Sequence, residues 1–111
     1  MNYTQSIGNI VELQCISKFI EMGFQCSIPY GNSALYDFIA DINGELIKIQ
    51  CKSAVYVKNN TTGERDKAAF MINCTRMTTN TKETKRYRYS EEDIDYFATY
   101  FNNQVYLIPV S

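Results

Sequence analysis

Asn43-Gly44 separates two runs, Leu35 to Ile42 and Glu45 to Ala54, in which apolar residues recur at every second position. Asn and Gly both tolerate the left-handed backbone that a two-residue turn between antiparallel strands demands, so this dipeptide predicts a tight β-hairpin. A turn of that length also sets the register. Ile42 faces Glu45, Ala40 faces Ile47, Phe38 faces Ile49 and Tyr36 faces Cys51, which gives one almost wholly apolar face. Alternation places Leu35, Asp37, Ile39 and Asp41 on the other face, beside Leu46, Lys48, Gln50 and Lys52. Asp37 then lies directly across from Gln50, roughly 5 Å away, with Lys52 on the diagonal at about 7–8 Å.

A carboxylate and an amide oxygen at that separation can share one hard cation, which takes oxygen ligands and keeps several waters. Lys52 beside them would orient or deprotonate an attacking water, or stabilise charge developing on phosphate oxygens. The same geometry equally describes an ordinary ion pair between Asp37 and Lys52 on a solvated face. Asp41, diagonal to Lys48, reads as a surface pair near the turn. Glu12 is more suggestive, because it falls on the inward stripe of a first helix, one turn before Cys15 and Ile16, and an inward carboxylate needs a partner or a metal.

That helix is predicted over Ser6 to Gly23, where Ile7, Ile10, Val11, Cys15, Ile16, Phe19, Ile20 and Met22 recur at three- and four-residue spacings and Gly23 supplies a stop. Gln25 to Ile28 is a short strand ended by Pro29. After the hairpin, residues Asn59 to Lys67 are polar and read as a loop, Ala68 to Cys74 as a strand, and Thr75 to Arg88 as a second polar stretch rich in threonine and base. Ser90 with Asp93 matches a capping box opening a second helix, striped by Ile94, Phe97, Ala98 and Phe101 and ended by Asn102-Asn103. Val105 to Val110 makes a last strand. The expected order is α-β-β-β-β-α-β, one α/β domain over residues 1–111.

Composition removes whole classes of chemistry. With no histidine among 111 residues, Ser-His-Asp triads, Cys-His nucleophiles and H-E-x-x-H zinc sites are excluded, so hydrolysis must run on carboxylates, lysine and a hard metal. The four cysteines are widely spaced without a C-x-x-C pair, which points to buried thiols rather than a zinc knuckle or disulfide framework. No apolar run reaches membrane length, so an intracellular, cytoplasmic protein is expected. The net charge of −1 rules out a globally basic surface, yet Lys82, Lys85, Arg86 and Arg88 cluster around Tyr87. As a strand, this segment would present Arg86 and Arg88 on one face, with Lys82 and Lys85 nearby as phosphate contacts, and turn Tyr87 and Tyr89 inward. Alone it reads as an edge strand whose charges prevent aggregation.

Gly8-x-x-x-Glu12 on a first helix, Tyr36-Asp37 at a strand and Gln50-x-Lys52 on the next strand resemble the PD-(D/E)XK endonuclease superfamily. The resemblance is closest to its group I intron homing endonuclease branch, in which glutamine can stand in the (D/E) position, and extends to Holliday junction resolvase-like nucleases. Gly23, Pro29, Gly31, Asp93 to Phe97 and Val105 to Val110 are similar to that branch as well. The resemblance implies a restriction-endonuclease-like core, a central mixed β-sheet flanked by helices. It further implies a Mg2+-dependent DNA endonuclease, with Mn2+ able to substitute. Asp37 would be the principal metal ligand, Gln50 the second, Glu12 a supporting carboxylate and Lys52 the catalytic lysine. Gln50 in place of an acid takes one negative charge from the site.

DNA is the expected partner, with no small-molecule cofactor and no membrane. Cutting two strands with so small a domain calls for a homodimer or higher homo-oligomer, with Tyr96 and Tyr100 on the last helix as a contact patch. The brevity of the chain suits a stand-alone, phage-type or mobile-element nuclease. The competing expectation is an inactive module of the same fold that binds nucleic acid or a protein, such as a phage-encoded inhibitor.

Overall fold

The structure is a computed structural model and describes residues 3–31, 33–58, 62–63, 65–79 and 84–111; for 3–5, 57–58, 65–69, 75–79 and 84–87 it describes the backbone alone. The first element is a helix, α1 (Tyr3–Glu21). It stops where the sequence says it must. Gly23 takes φ 93°, its N–H donates to the Ile20 carbonyl at 2.9 Å and the Phe24 N–H to the Phe19 carbonyl at 3.1 Å. This crossed pair satisfies carbonyls that the helix end would leave bare, and Phe24 closes over Phe19 with ring centroids 6.1 Å apart.

Among the described residues nine strands follow: β1 (Gln25–Ser27), β2 (Phe38–Ile42), β3 (Glu45–Cys51), β4 (Val55–Lys58), β5 (Arg65–Met71), β6 (Thr75–Thr79), β7 (Thr84–Arg88), β8 (Tyr96–Phe101) and β9 (Gln104–Pro109). Five build the central sheet in the order β1-β2-β3-β8-β9, antiparallel throughout except for the parallel pair β3–β8. A parallel pair needs a long crossover, and the chain supplies it with two hairpins, β4–β5 and β6–β7. The class is therefore α/β with a mixed sheet, as expected.

The β2–β3 register is the one the turn dictates, with Ile42 across from Glu45, Ala40 from Ile47 and Phe38 from Ile49. Asn43 and Gly44 take φ 54° and 86°, and the Asp41 Oδ1 accepts the Gly44 N–H at 2.9 Å. Asp41 thus tightens the turn instead of pairing with Lys48, whose ammonium donates to the Glu92 carbonyl. The apolar face of the hairpin carries the core. Phe38, Ala40, Ile49 and Ala98 pack against Val11, Cys15, Ile16 and Phe19 of α1, all buried.

The expected second helix does not form. Ser90 and Asp93 make one half of the capping box, the Asp93 Oδ2 accepting the Ser90 N–H at 3.0 Å, while the Ser90 carbonyl accepts the Asp93 and Ile94 N–H groups at 3.0 and 3.2 Å. One turn later the chain extends into β8. Both faces of β8 are covered, Ala98 by the α1 side and Phe97 and Thr99 on the other, and burial on two faces erases the alternation that marks a strand. Asn102 and Asn103, at φ 52° and 64°, are not a helix stop but a left-handed two-residue turn into β9. Other bounds shift too. The run after the hairpin breaks at Cys51 and resumes as β4, the strand expected at Ala68 to Cys74 lies at Arg65–Met71, and the second polar stretch holds the β6–β7 hairpin.

Candidate active site

Asp37 precedes β2 by one residue and slips from the hairpin register: its N–H donates at 2.8 Å to the carbonyl of Ile49, the residue that pairs with Phe38, so the expected placement directly across from Gln50 does not hold. Gln50, next along β3, is half-buried in the middle of the sheet between β2 and β8. The Asp37 side chain turns back onto β3, where its Oδ2 accepts the Cys51 N–H at 2.7 Å. The carboxylate is thereby pinned at the level of residue 51, between Gln50 and Lys52. Lys52 is held by its own N–H, which donates to the Ala98 carbonyl at 2.9 Å.

The electrostatics tie these groups together. Burial raises the Asp37 pKa above the ordinary carboxylate value, against the opposing pull of the Cys51 N–H and of the Lys52 charge. Burial also raises that of Glu12, and repulsion from the Asp37 carboxylate adds to it, so the helix delivers Glu12 within electrostatic reach of Asp37. Lys52 is pushed down by burial and partly restored by Asp37 and Cys74. Two carboxylates that resist carrying charge together, with a half-buried lysine beside them, form a cluster in which a divalent cation would relieve the repulsion.

Of the sequence-predicted residues, Asp37 stands within electrostatic reach of both Glu12 and Lys52, and Gln50 lies on β3 two residues before Lys52. The proposed DNA contacts divide differently. Arg88 is exposed at the end of β7, Lys85 and Arg86 lie within β7, and Lys82 falls outside the described residues. Tyr96 and Tyr100, expected on a helix, are half-buried in β8.

Three supports carry no sign in local sequence. The Lys52 ammonium lies 5.1 Å from the centroid of the Tyr89 ring, which stands edge-on to Phe97 at 5.4 Å and 84°. The Cys51 thiol hydrogen-bonds with Cys15, and that bond together with burial drives its pKa upward, keeping it neutral one residue from Lys52. Asp95 joins β3 to β8: its Oδ2 accepts the Lys48 N–H at 2.8 Å and its own N–H donates to the Lys48 carbonyl at 2.9 Å. Each is a contact across more than 30 residues, invisible to spacing rules.

Among the described residues no three carboxylate, cysteine or histidine groups stand close enough to cage a metal. A closed zinc-type site is thereby excluded there. What remains suits a hard divalent cation held by one or two carboxylates and otherwise by water and phosphate oxygens. Asp37 fits this use, since one N–H occupies only part of a carboxylate's acceptor capacity.

A family model described as PD-(D/E)XK endonuclease matches residues 2–111. Among solved structures, the chain is similar to a bacterial homing endonuclease, I-Ssp6803I, with a TM-score of 0.77 and 28% identity, over 98% of this chain and 70% of that one. Comparison with curated proteins gives no match. With the family pattern running through nearly every residue, and the same sheet and helix behind it, the chain belongs to the PD-(D/E)XK endonuclease family.

Proposed function

We propose that the chain is a magnesium-dependent DNA endonuclease whose active site is Glu12, Asp37, Gln50 and Lys52. The observation that supports this reading is a pinned, half-buried Asp37 within electrostatic reach of Lys52 on one side and of Glu12 on the other. Asp37 and the Gln50 carbonyl oxygen would hold the metal, with Glu12 supporting. When bound, the ion would lower the pKa of a water and neutralise charge on the phosphate.

The protein's own groups do the rest. The Cys51 N–H fixes the direction of the Asp37 carboxylate, so no rotamer search precedes ligand binding. Lys52 orients the attacking water and offers its protons to the non-bridging phosphate oxygens, where negative charge grows. Glu12 supplies the second negative charge that a site with glutamine in the acidic position otherwise lacks. Arg88, with Lys85 and Arg86 on the same strand, contacts backbone phosphates, which positions DNA without reading sequence. The bacterial homing endonuclease that the chain resembles supports DNA as the substrate, and cutting both strands calls for two copies of the chain.

A second reading is favoured by two features. Gln50 stands where an acid is usual, and no three-ligand cluster exists among the described residues. An inactive fold that binds nucleic acid or a partner protein would carry both features. Plasmid, linear duplex, single-stranded and four-way-junction DNA, incubated with the protein and Mg2+ or Mn2+, separate the two. Cleavage that falls at least about 100-fold in Asp37→Ala and Lys52→Ala supports the nuclease. DNA binding without cleavage of any substrate supports the inactive module.

A further inference from the structure

Lys52 stands one residue beyond the end of β3, where its N–H is fixed on the Ala98 carbonyl. That bond holds the backbone only. The ammonium sits at the far end of a flexible stem, and without a partner for that end it is a mobile point charge. The partner comes from the foot of the β6–β7 hairpin. The two strands pair from Thr79 and Thr84 down to Thr75 and Arg88, so Cys74 and Tyr89 are the next residues on either side of the foot. Both reach Lys52: its ammonium lies over the Tyr89 ring, 5.1 Å from the centroid, and Cys74 is within electrostatic reach. The ring is itself held from two sides. Phe97, fully enclosed in β8, meets it edge-on with centroids 5.4 Å apart. On the chain side, Ser90 opens the turn in which its N–H donates to the Asp93 Oδ2 and its carbonyl accepts the N–H of the buried Ile94. The serine and aspartate that the sequence offers as a helix cap thus fix the backbone one residue from Tyr89.

We propose that Tyr89 is a positioning residue for Lys52, its braced ring fixing where the ammonium points and tying the foot of the β6–β7 hairpin to the chemistry on β3. The role rests on the nuclease reading, in which Lys52 meets the charge growing on phosphate oxygens. A neutral ring suits that task better than a further carboxylate. It attracts the ammonium through its quadrupole, and both groups are half-buried, which strengthens the attraction. It also leaves the positive charge undiminished for the phosphate. In the same reading the exposed Arg88 places a phosphate contact on the residue next to the one that supports the lysine.

Two measurements on the full chain test this, one of them independent of activity. In protein carrying isotope-labelled lysine, the ε-methylene proton resonance of Lys52, identified by its disappearance in Lys52→Arg, should lie upfield of the other lysines, because the ring face shields it. Tyr89→Leu keeps apolar bulk against Phe97 and should abolish the displacement; Tyr89→Phe keeps a ring face and should retain it. With Mg2+ and plasmid, Tyr89→Leu should lower kcat about 5- to 30-fold at unchanged KM, the worth of a partly desolvated contact between cation and ring. Tyr89→Phe should recover most of that loss. A Lys52 resonance that is not displaced in wild type, a displacement that survives Tyr89→Leu, or a kcat that is unchanged in Tyr89→Leu or falls equally in Tyr89→Phe would each overturn the proposal. A displacement lost only in Tyr89→Leu, in a wild type that cuts no DNA, would uphold the positioning and sink the nuclease reading instead.

Discussion

Asp37 is asked to be buried and charged at once, and the surrounding groups only partly offset the conflict. Its folded-state pKa lies above its ordinary value, so the folded chain holds the proton more tightly than the unfolded one. For a carboxyl group that sign means a stability penalty that is complete at neutral pH and is relieved as pH falls through the window just above 3.8. Asp37→Asn keeps an acceptor for the Cys51 N–H and removes the charge. In chelator-treated protein it should therefore melt higher than wild type at pH 7, with the advantage shrinking as pH falls toward 4, while cleavage is lost. Equal melting of the two proteins across that range would contradict the electrostatic account. Gln50→Glu adds the missing negative charge, and calorimetric titration should show magnesium binding tightened by at least about tenfold; unchanged affinity would mean Gln50 is no ligand. The nearness of Asp37 and Lys52 was legible in sequence because a two-residue turn sets the strand register, whereas the one-residue slip at Asp37 that takes it out of line with Gln50 was not. Nor were Tyr89, Cys15 and Asp95, since only the folded sheet brings them to Lys52, Cys51 and Lys48.

At the scale of elements, the joint between β3 and β8 holds the site's floor to the rest of the sheet, and Asp95 is its clamp. Removing the acceptor leaves the Lys48 N–H without a partner in a half-buried position. Asp95→Ala should cost about 1–3 kcal/mol in urea unfolding. The turn from β8 to β9 needs two residues with left-handed backbone, which asparagine tolerates and a β-branched residue does not. Asn103→Val should cost about 1–2 kcal/mol, seen as a lower midpoint with the same denaturant slope. The same segment explains the misleading sequence signal. Ser90-x-x-Asp93 does form capping contacts, and Asn102-Asn103 does end an element, but both signals fit a turn before a strand and a turn after it. Between them Tyr96 to Phe101 is buried on both faces, and only its aromatic content, D-Y-F-A-T-Y-F from Asp95, favours β over helix.

For the whole molecule, a net charge of −1 means that DNA cannot be held by a general positive field. Affinity must come from a local set of phosphate contacts, which should make binding fall steeply with salt, by roughly one power of concentration for each contact formed. Charge reversal at the exposed Arg88 (Arg88→Glu) should reduce that salt slope by about one to two and leave thermal stability unchanged, a result that fluorescence anisotropy at several salt concentrations would check. The family pattern runs over residues 2–111, and in the proposed reading the hairpin supplies the chemistry. The central claim is that Asp37 and Lys52 act together on DNA. Its most direct test is supercoiled plasmid incubated with Mg2+ and wild type, Asp37→Asn or Lys52→Ala. The account predicts nicked and linear product from wild type alone, and cleavage that survives in both variants would contradict it.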